Sequence, residues 1–307
     1  MGTVLILGGT GRFGRNAAEA FWNASWKVTL FDRKKKDDLH MAAQGADVIV
    51  HGWNPIYTDW ARDVPKLTQQ VIDAARGSGA TVMIPGNVYV YGADAPGDFG
   101  PHLPHTAQNP LGQIRRDMEQ AFRDSGVPTI VLRAGDFLDT EASGNWFDQI
   151  IAPSLNKGRL TYPGAFDAEH AWAYLPDMCR ALVELAERRE MLPQFTDVTF
   201  PGCTLTAHDL LALCEQAMGH PLRLRRMHWL PIQIARPFWP LAKHLLEMRY
   251  LWDKPHHLSS ESFDTLLPKF RATDSVEAIA MAISPVLKQD SDRPKPNGAA
   301  PRPAQTA

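Results

Sequence analysis

The sequence predicts an α/β fold in which helices cover both faces of a parallel sheet, and two observations support this prediction. Short runs of branched apolar residues, typical of strands buried on both faces, alternate with longer segments of helical periodicity. The first run, Val4–Leu7, passes through a glycine-rich turn directly into a helical segment. Parallel strands need long, usually helical, connections, so this alternation indicates a doubly wound sheet.

The glycine-rich turn between the first strand and the first helix is the most informative motif. Glycines lie at positions 8, 11 and 14, and the helical pattern Arg15–Asn23 follows. Gly8 allows a sharp turn, Gly11 lets backbone N–H groups approach a pyrophosphate, and Gly14 lets the helix pack on the strand. A helix N-terminus also attracts anions. We therefore expect a dinucleotide site here; the alternative is a turn that only permits close packing.

The end of the second predicted strand, Lys27–Phe31, bears on the choice of dinucleotide. Asp32 lies 24 positions after Gly8, near the offset of about 20 residues at which a carboxylate accepts hydrogen bonds from ribose hydroxyls. Its charge disfavours a 2′-phosphate, whereas Arg33 and Lys34–Lys36 would attract one. We expect NAD as the cofactor, with NADP as the alternative.

The chain resembles a known family at several motifs in a fixed order. The spacing Gly8-x-x-Gly11-x-x-Gly14 is followed by HGWNP, NVYVYG and VLRAGDF, as in the extended short-chain dehydrogenase/reductase superfamily, the NAD-dependent epimerase/dehydratase family. The resemblance covers about residues 3–285. It implies a Rossmann-type sheet with a smaller C-terminal substrate lobe. It also implies cofactor contacts from Gly8, Thr10, Gly11, Arg12, Phe13, Gly14, Asp32, Arg33, Gly52 and Arg115.

One strand of the family pattern has no room in this sequence. Ala46–His51 resembles the family's fourth strand, yet only fourteen residues separate Asp47 from Asp32. That stretch can hold one short helix and little more. We therefore expect the third strand to be missing or shortened and the adenine pocket to be more open than in typical members.

The later segments continue the alternation. Gly77 marks the end of one helix, and Gly126 with Pro128 marks the end of another. Asp177 is expected to cap a further helix. In order, the predicted elements are helix Trp60–Arg76, strand Ala80–Ile84, helix Leu111–Asp124, strand Thr129–Arg133, and helices Met178–Arg189, Leu205–Met218 and Ser275–Ile283.

These elements suggest a division of the chain into a cofactor domain and a substrate lobe. We expect an NAD(P)-binding domain at 1–140, rejoined around 171–200, and a mainly substrate-binding lobe at 141–287. Residues 288–307 are rich in proline, alanine and charge without periodicity, which predicts a disordered tail.

Composition limits the partners and the compartment. A formal net charge of −2 does not favour a nucleic-acid partner. The three cysteines form no C-x-x-C motif and are expected to be reduced, and no signal peptide precedes the first strand. Trp229–Leu246 is apolar, but Arg236, Lys243 and three prolines interrupt it, so no membrane partner is expected. We expect a cytoplasmic protein with a small-molecule substrate, and a homodimer is possible.

The family's catalytic residues are replaced in this chain. The family uses a Tyr-x-x-x-Lys pair and an upstream Ser or Thr for acid–base work. The resemblance places Leu111 at the tyrosine, Arg115 at the lysine and Asn87 at the hydroxyl position. Leu111 cannot transfer a proton. Arg115 can still donate hydrogen bonds to ribose, and Asn87 can orient a substrate oxygen without titrating.

Tyr89 is the candidate for the missing acid. If residues 87, 89 and 91 alternate on an extended segment, the Tyr89 side chain faces the substrate, and in dehydratases of the family this position holds a catalytic acid. The nearby cation Arg115 would tune its pKa. The alternative is that Tyr89 only lines the pocket and Tyr91 only packs.

Other polar residues complete the expected site. Asn54, Tyr57 and Asp136 follow the ends of parallel strands, where ligands bind in open α/β sheets, and are candidates for substrate binding. No metal site is expected at His102 and His105. Two further histidine-containing groups are expected at the surface: Asp167, Glu169 and His170 in a loop, and the solvated pair His256 and His257.

Two functions from different classes fit these observations. The first is an NAD(P)-dependent oxidoreductase or epimerase that acts on a small polar or nucleotide-sugar substrate with an atypical active site. The second is a catalytically silent NAD(P)-binding sensor or regulatory protein. Loss of the Tyr and Lys favours the second, whereas the long substrate lobe favours the first.

Overall fold

A computed structural model describes residues 2–35 and 38–291 and confirms the predicted α/β class. Its strands are β1 (Thr3–Leu7), β2 (Lys27–Phe31), β3 (Val48–His51), β4 (Thr81–Gly86), β5 (Asp98–Phe99), β6 (Thr129–Arg133), β7 (Asp136–Leu138), β8 (Arg159–Tyr162), β9 (His170–Tyr174), β10 (Phe195–Thr199), β11 (Cys203–Leu205), β12 (Arg223–Arg226) and β13 (His257–Leu258). Its helices are α1 (Arg12–Asn23), α2 (Leu39–Ala43), α3 (Trp60–Ser78), α4 (Pro110–Ser125), α5 (Leu175–Glu187), α6 (Ala207–Met218), α7 (Leu230–Ala235), α8 (Pro240–Glu247), α9 (Tyr250–Asp253), α10 (Glu261–Leu266) and α11 (Ser275–Ser291).

The central sheet has six strands in the order β10-β6-β4-β3-β1-β2, and every neighbouring pair is parallel. Strand β1 pairs with β2 on one side and with β3 on the other. The strand order therefore reverses at β1, which opens a crevice at the carboxyl ends of the strands.

Successive residues of the buried strands enter two separate cores. Leu5, Ile49 and Val82 point into the core beneath α3 and α4, whereas the neighbouring Val4 and Val48 point into the core beneath α1 and α5. Both faces of the sheet are thus covered by helices. This explains why the strands read as continuous apolar runs rather than as alternating ones.

The predicted absence of the third strand is confirmed for the described part of the chain. Between β2 and β3 the described residues form a 3-10 turn, Arg33–Lys35, and the short helix α2. Strand β2 is consequently the outer strand of the described sheet, and its Leu30 is 55% exposed.

The remaining strands build smaller sheets beside the central one. Strand β9 pairs with β7 and β11, β12 pairs with β8, and β13 pairs with β5. A third core lies among β8, α6 and α11 and contains Leu160, Leu210 and Ile279. These elements follow β6 in the chain, apart from β5. The proposed division into a cofactor domain and a substrate lobe stays a prediction.

Several predicted helix boundaries are wrong at the ends. Helix α1 begins at Arg12 rather than Arg15, because Gly11 already serves as its extended N-cap. Helix α3 passes through Gly77 and ends at Gly79, which adopts a left-handed φ of 76°. A helix ends readily where glycine takes that conformation.

Asp177 is not the helix cap that the sequence predicts. Helix α5 starts earlier, with Tyr174 as its cap and a proline in its first turn. The buried carboxylate of Asp177 instead accepts hydrogen bonds from Thr273 N and Oγ1 at 2.6 and 2.8 Å. Asp177 therefore links α5 to the segment before α11.

The structure also bears on the predicted tail and on the apolar segment Trp229–Leu246. Helix α11 continues to Ser291, beyond the predicted start of the tail at 288, and residues 292–307 lie outside the described residues. The apolar segment Trp229–Leu246 is divided between α7 and α8. In the described ranges no helix has the length and apolarity needed to cross a bilayer.

Candidate functional site

The glycine turn, residues 8–14, is built so tightly that side chains are excluded at its two ends. Gly8 adopts a left-handed φ of 80°, and a Cβ there would lie 2.8 Å from the carbonyl oxygen of Gly52. A Cβ on Gly14 would lie only 2.2 Å from the carbonyl oxygen of Gly8. The same oxygen accepts a 2.9 Å hydrogen bond from Gly11 N. Strand β1, helix α1 and the end of β3 therefore meet backbone to backbone.

The middle of the turn is open to solvent and leads to the bare N-terminus of α1. Gly11 is exposed and has an ordinary extended conformation, and no side chain caps the helix. The first turn of α1 also contains no acidic residue. Thr10 is exposed and Arg12 is half-buried beside it. Phe13 is packed in the core, so only its backbone N–H remains to face a ligand.

A cavity of about 410 Å³ lies beside the end of β2, next to the glycine turn. The guanidinium of Arg33 lies over the ring of Trp53, 5.1 Å from its centre, at one wall of this cavity. Asp32 precedes it, and its Oδ1 accepts a 2.9 Å hydrogen bond from Lys34 N. The cavity is lined by Phe31, Arg33, Leu39, His40, Trp53 and Gln70. The third strand that the family pattern would place nearby is absent among the described residues, as discussed above.

A polar cluster, Asn54, Tyr57, Tyr89 and Arg115, forms where strands β3 and β4 end. The hydroxyl groups of Tyr57 and Tyr89 are 2.6 Å apart, and either can be the donor. Arg115 Nη2 donates a 2.8 Å hydrogen bond to Asn54 Oδ1. The Arg115 guanidinium lies 4.2 Å from the centre of the Trp60 ring. The structure thus brings together four side chains that the sequence places in the site.

Arg115 is held by the protein rather than free at the surface. Its side chain is buried, and besides Asn54 it contacts Met118 Sδ at 3.3 Å. Burial lowers the pKa of Arg115 from its ordinary value. With its guanidinium fixed between Trp60 and Asn54, Arg115 orients the Asn54 amide.

The environment of Tyr89 differs from the sequence prediction in two ways. Val88–Val90 forms a 3-10 turn, so residues 87, 89 and 91 do not alternate on an extended strand. Burial, together with Tyr57 and Asp136, raises the pKa of Tyr89 well above its ordinary value, and Arg115 only weakly opposes this rise. Arg115 thus lowers the pKa of Tyr89 in the predicted direction, but desolvation outweighs it. Tyr89 keeps its proton as a neutral phenol.

Asn87, Leu111 and Tyr91 have structural roles in this site. Asn87 Oδ1 accepts a hydrogen bond from Tyr89 N at 3.0 Å and thereby caps the turn that carries Tyr89. Leu111 is fully buried, and its N–H donates to Glu247 Oε1 at 2.7 Å. Tyr91 is fully buried and stacks on Phe99 at 4.5 Å between ring centres, as expected for a packing residue.

Asp136 is paired with a histidine that the sequence assigns to the surface. His170 Nε2 lies 2.8 Å from Asp136 Oδ2, and the His170 side chain is only 2% exposed. Its ring stacks on Trp252, with 4.2 Å between centres and 3° between planes. Asp167 and Glu169 are exposed as expected. The surface prediction for His170 is wrong because β9 turns it inward against aromatic rings from distant segments.

His256 is likewise buried rather than solvated. It is 1% exposed and packs edge-to-face on His170, with ring centres 4.7 Å apart. Burial lowers the pKa of His256 to about 3. Only His257 remains half-exposed, as the sequence predicts. The rings of His170, His256 and Trp252 pack together next to the carboxylate of Asp136.

Electrostatics connect Asp136 and the glycine turn to the polar cluster. Burial raises the pKa of Tyr57, its hydrogen bond with Tyr89 lowers it, and the charge of Asp136 raises it further. Arg12, at the start of α1, acts on Tyr57 in the opposite direction. The helix N-terminus, the tyrosine pair and Asp136 are therefore within electrostatic reach of one another.

A buried charge network beside the site was not foreseen from the sequence. The fully buried Arg133 donates to Glu119 Oε2 at 2.8 Å and to Asp197 Oδ2 at 2.6 Å. It also donates to the carbonyl oxygen of Asn87 at 2.6 Å. His105 lies near both carboxylates. One ligand atom from each of His105, Glu119 and Asp197 lies within 4.8 Å of the others, a spacing that could suit a metal ion. Arg133 already forms ion pairs with both carboxylates, however. We therefore interpret the group as an ion-pair network that anchors Asn87.

Comparisons with solved structures show that this fold is shared by proteins of similar length. UDP-glucuronic acid 4-epimerase from Bacillus cereus, solved with UDP-glucuronic acid and NAD, has a TM-score of 0.72 and 14% identity; the match covers 94% of this chain and 99% of that one. A nucleoside-diphosphate-sugar epimerase from Pseudomonas aeruginosa has a TM-score of 0.69 and 15% identity over 94% and 98%. An NAD-dependent NDP-hexosamine 5,6-dehydratase involved in tunicamycin biosynthesis has a TM-score of 0.69 and 14% identity over 96% and 99%.

Two comparisons based on the sequence gave no match. No protein-family model matches the chain, and no curated protein matches it either. Several of the structural neighbours, including two complexes with UDP-glucuronic acid, contain NAD. At such low identity the likeness shows the fold, which is that of NAD-dependent nucleotide-sugar epimerases and dehydratases.

Proposed function

We propose that the protein is an NAD-dependent oxidoreductase or epimerase that acts on a small polar substrate of the nucleotide-sugar class. One observation carries this proposal. The glycine turn, Asn54 with Tyr57, and Tyr89 follow the carboxyl ends of the adjacent strands β1, β3 and β4, and Asp136 follows the neighbouring β6. Arg115 reaches this edge from α4. Ligands of open α/β sheets bind at this edge, next to the strand-order reversal.

The residues of the glycine turn fit the pyrophosphate of NAD. Gly8, Gly14 and Gly52 leave no room for a Cβ against their backbone neighbours, whereas Gly11 faces solvent at an uncapped helix N-terminus. Backbone N–H groups in that position bind phosphate oxygens. Asp32 would accept from the ribose hydroxyls, and its charge favours NAD over NADP. When bound, the nicotinamide supplies reversible hydride transfer.

The cavity that Trp53 and Arg33 line would hold the adenine. Trp53 offers an aromatic face, and the guanidinium of Arg33 already lies over that face at 5.1 Å. Such planar surfaces suit a heterocyclic base. The absence of a third strand among the described residues leaves this cavity open at the side of β2, in keeping with the prediction from the sequence.

The polar cluster and Asp136 would bind and orient the substrate. In the Tyr57–Tyr89 pair one hydroxyl donates to the other, which leaves one phenolic proton for a substrate oxygen. Because its pKa is raised, Tyr89 stays protonated, so its hydroxyl can donate a hydrogen bond and does not serve as a phenolate base. Arg115 fixes Asn54, and His170 fixes the carboxylate of Asp136. A direct contact between Arg115 and the ribose stays a prediction.

The nucleotide-sugar class rests on the structural neighbours. The epimerase from Bacillus cereus was solved with UDP-glucuronic acid, and it matches nearly the whole of both chains. The third core, around Leu160, Leu210 and Ile279, lies in the part of the chain for which a substrate-binding lobe is predicted. We also propose a cytoplasmic location, which the three free cysteines support.

A catalytically silent NAD-binding sensor is the second candidate. One observation favours it: Leu111, at the position of the family's tyrosine, is fully buried and cannot be approached by a substrate. The guanidinium of Arg115 is also occupied by protein groups. Both candidates share the cofactor site and differ only in turnover.

A turnover assay separates the two candidates. Purified protein is incubated with NAD or NADP and a panel of UDP- and dTDP-sugars, and products are followed by chromatography and by absorbance of the reduced cofactor. Epimerised, dehydrated or oxidised sugar supports the enzyme. Calorimetric NAD binding without any product supports the sensor, and absence of NAD binding contradicts both.

A further inference from the structure

The segment 216–246 presents an unusual surface. It contains four large apolar side chains that face solvent: Leu230, Ile234, Phe238 and Trp239 are 62%, 67%, 90% and 41% exposed. Leu230 and Ile234 are four positions apart on α7 and share one side of that helix. Phe238 and Trp239 follow immediately in the turn before α8. Clustered exposed apolar residues of this kind indicate an interaction surface.

The same segment is exclusively basic. Between Glu215 and Glu247 the sequence has no Asp or Glu, in a chain whose formal net charge is −2. The exposed cations of this segment are Arg223, Arg225, Arg226, Arg236 and Lys243. Within the described ranges none of these five has a carboxylate at ion-pair distance, whereas Arg15, Arg62 and Arg180 do. The cations are therefore free to meet an external anionic partner.

We propose that this basic apolar surface binds the anionic face of a lipid bilayer. The rings of Phe238 and Trp239 would enter the boundary between headgroups and acyl chains, where aromatic side chains are favourable. The arginines and Lys243 would lie at the level of anionic headgroups, and each adds attraction at low salt. Helices α7 and α8 have six and eight residues; they can lie on the surface and are too short to cross it.

Three features favour a bilayer over other partners. A second copy docked through the same patch would bring Arg236 and Lys243, which flank Phe238 and Trp239 in the chain, close to their own copies, and like charges repel. Half of the exposed apolar set, Leu230 and Ile234, is aliphatic and gains nothing from stacking on nucleic-acid bases, whereas the headgroup boundary of a bilayer buries aliphatic and aromatic side chains alike. A fluid bilayer requires no shape complementarity, so it can accept side chains that project from the two short helices α7 and α8 and from the turn between them. Surface binding also revises the expectation of no membrane partner, since that rested on the lack of a spanning segment.

The test is co-sedimentation of the full chain with two kinds of vesicle. One is phosphatidylcholine alone, and the other contains about one third phosphatidylserine, the type of lipid that gives the cytoplasmic leaflet its charge. We expect binding to the anionic vesicles only, and a strong decrease when salt is raised from about 0.1 M to about 1 M. Equal binding to both kinds of vesicle, or to neither, would overturn the proposal.

Variants locate the binding surface. Phe238→Ala combined with Ile234→Ala should reduce vesicle binding about tenfold or more, because two exposed apolar groups no longer leave water. Arg236→Glu combined with Lys243→Glu should reduce it at least as much and should weaken the salt dependence. Matched controls are Trp22→Ala, at a 70% exposed tryptophan on α1, and Lys66→Glu, at an exposed lysine on α3; both should bind vesicles as wild type does.

Two outcomes distinguish a protein partner from a membrane. NAD affinity and melting temperature should be unchanged in all four variants, which confirms that they are folded. Light scattering should show no loss of a dimer in Phe238→Ala with Ile234→Ala. If that variant instead converts a dimer into a monomer while vesicle binding persists, the patch is a contact between copies and the proposal fails.

Discussion

The glycine turn and the polar cluster lie at the same edge of the sheet, yet they are built in different ways. The turn is a contiguous stretch in which backbone atoms touch, and a Cβ at Gly14 would lie 2.2 Å from a carbonyl oxygen. The cluster is assembled from side chains 61 residues apart, as in Arg115 and Asn54, or 32 apart, as in Tyr57 and Tyr89. The conformation of the glycine turn is therefore fixed locally, whereas the arrangement of the polar cluster is fixed by long-range packing.

This difference teaches which part of the site tolerates change. Backbone contacts at Gly8 and Gly14 leave no room for a side chain, so the turn keeps its geometry only with glycine at these two positions. The cluster contains Arg115, which stands where the resemblance in the sequence places a lysine. Chemistry can therefore diverge there while the cofactor turn stays the same.

The largest expected effect is on folding and comes from the glycine turn. Gly14→Ala places a methyl group against the carbonyl oxygen of Gly8, and overpacking against rigid backbone should destabilise the protein by about 3 kcal/mol, the upper end of the usual range. Urea unfolding measures this. Gly77→Ala is the matched control: its Cβ would meet only His40 Nδ1 at 3.8 Å inside α3, so it should stabilise by about 0.5–1 kcal/mol. Equal effects of the two variants would contradict the tight packing.

The next effect is on turnover and comes from the polar cluster. If the protein is an enzyme, Tyr89→Phe should reduce kcat by about 10²–10⁴-fold, because proton donation is lost. NAD affinity measured by calorimetry should not change. Turnover that survives this substitution would remove Tyr89 from the mechanism.

A related variant tests whether the missing family tyrosine can be restored. Leu111→Tyr places a phenol at a fully buried position, so we expect lower stability and no gain in activity. A gain in activity would instead indicate a degenerate site that now only binds. Turnover of a sugar nucleotide, scored against wild type at equal folded fraction, decides between these results.

Buried histidines near the cluster predict a loss of stability in acid. Burial lowers the pKa of both His51 and His256 to about 3 in the folded protein, against about 6.5 in an unfolded chain. The unfolded state then binds more protons between these values, so stability falls as pH drops below about 6.5 and the loss is complete near pH 3. Each histidine should contribute about 2–4 kcal/mol over this window.

The measurement for this prediction is the melting temperature at intervals between pH 7 and pH 4. His256→Gln removes one titrating group, so its melting temperature should depend less steeply on pH than that of wild type, whatever its absolute value. His257→Gln is the control, because His257 is half-exposed. A slope unchanged in His256→Gln would show that His256 is not buried in its neutral form.

A smaller effect concerns the choice between the two dinucleotides. Asp32 should disfavour a 2′-phosphate by about 1–3 kcal/mol, the usual scale of a charged hydrogen-bonding contact. We expect tighter binding of NADH than of NADPH in fluorescence titrations and a reduced preference in Asp32→Ala. Tighter NADPH binding by wild type would show that Arg33 and the lysines decide the preference.

The sequence predicts the central sheet well for a physical reason. Strands β1, β4 and β6 are buried on both faces, so their branched apolar runs stand out, and predicted bounds differ from observed ones by one or two residues. The missing third strand follows from chain length alone. Helix ends are less well predicted, since the starts of α1 and α5 depend on Gly11 and a proline rather than on apolar periodicity.

The candidate site is only partly predictable because its side chains pair across long separations. Nothing local in the sequence indicates that His170 stacks on Trp252 or that Arg133 binds Glu119 and Asp197. The isolated arginine at the end of an otherwise apolar strand was the one available signal, since a buried cation requires carboxylate partners. The net rise in the pKa of Tyr89 cannot be predicted from the sequence, because burial, which the sequence does not show, outweighs the nearby cation.

Calorimetric titration of NAD into wild type and Gly11→Val tests the central claim most directly. A Cβ at Gly11 meets only the Gly8 carbonyl oxygen, at 3.3 Å, and the residue is exposed with an ordinary φ of −83°. The variant should therefore fold, with a melting temperature near that of wild type. Its branched side chain should occupy the space of the pyrophosphate and weaken NAD binding about 100-fold or more, on the scale of several lost phosphate contacts. Unchanged NAD binding by folded Gly11→Val would show that the dinucleotide does not bind at the glycine turn.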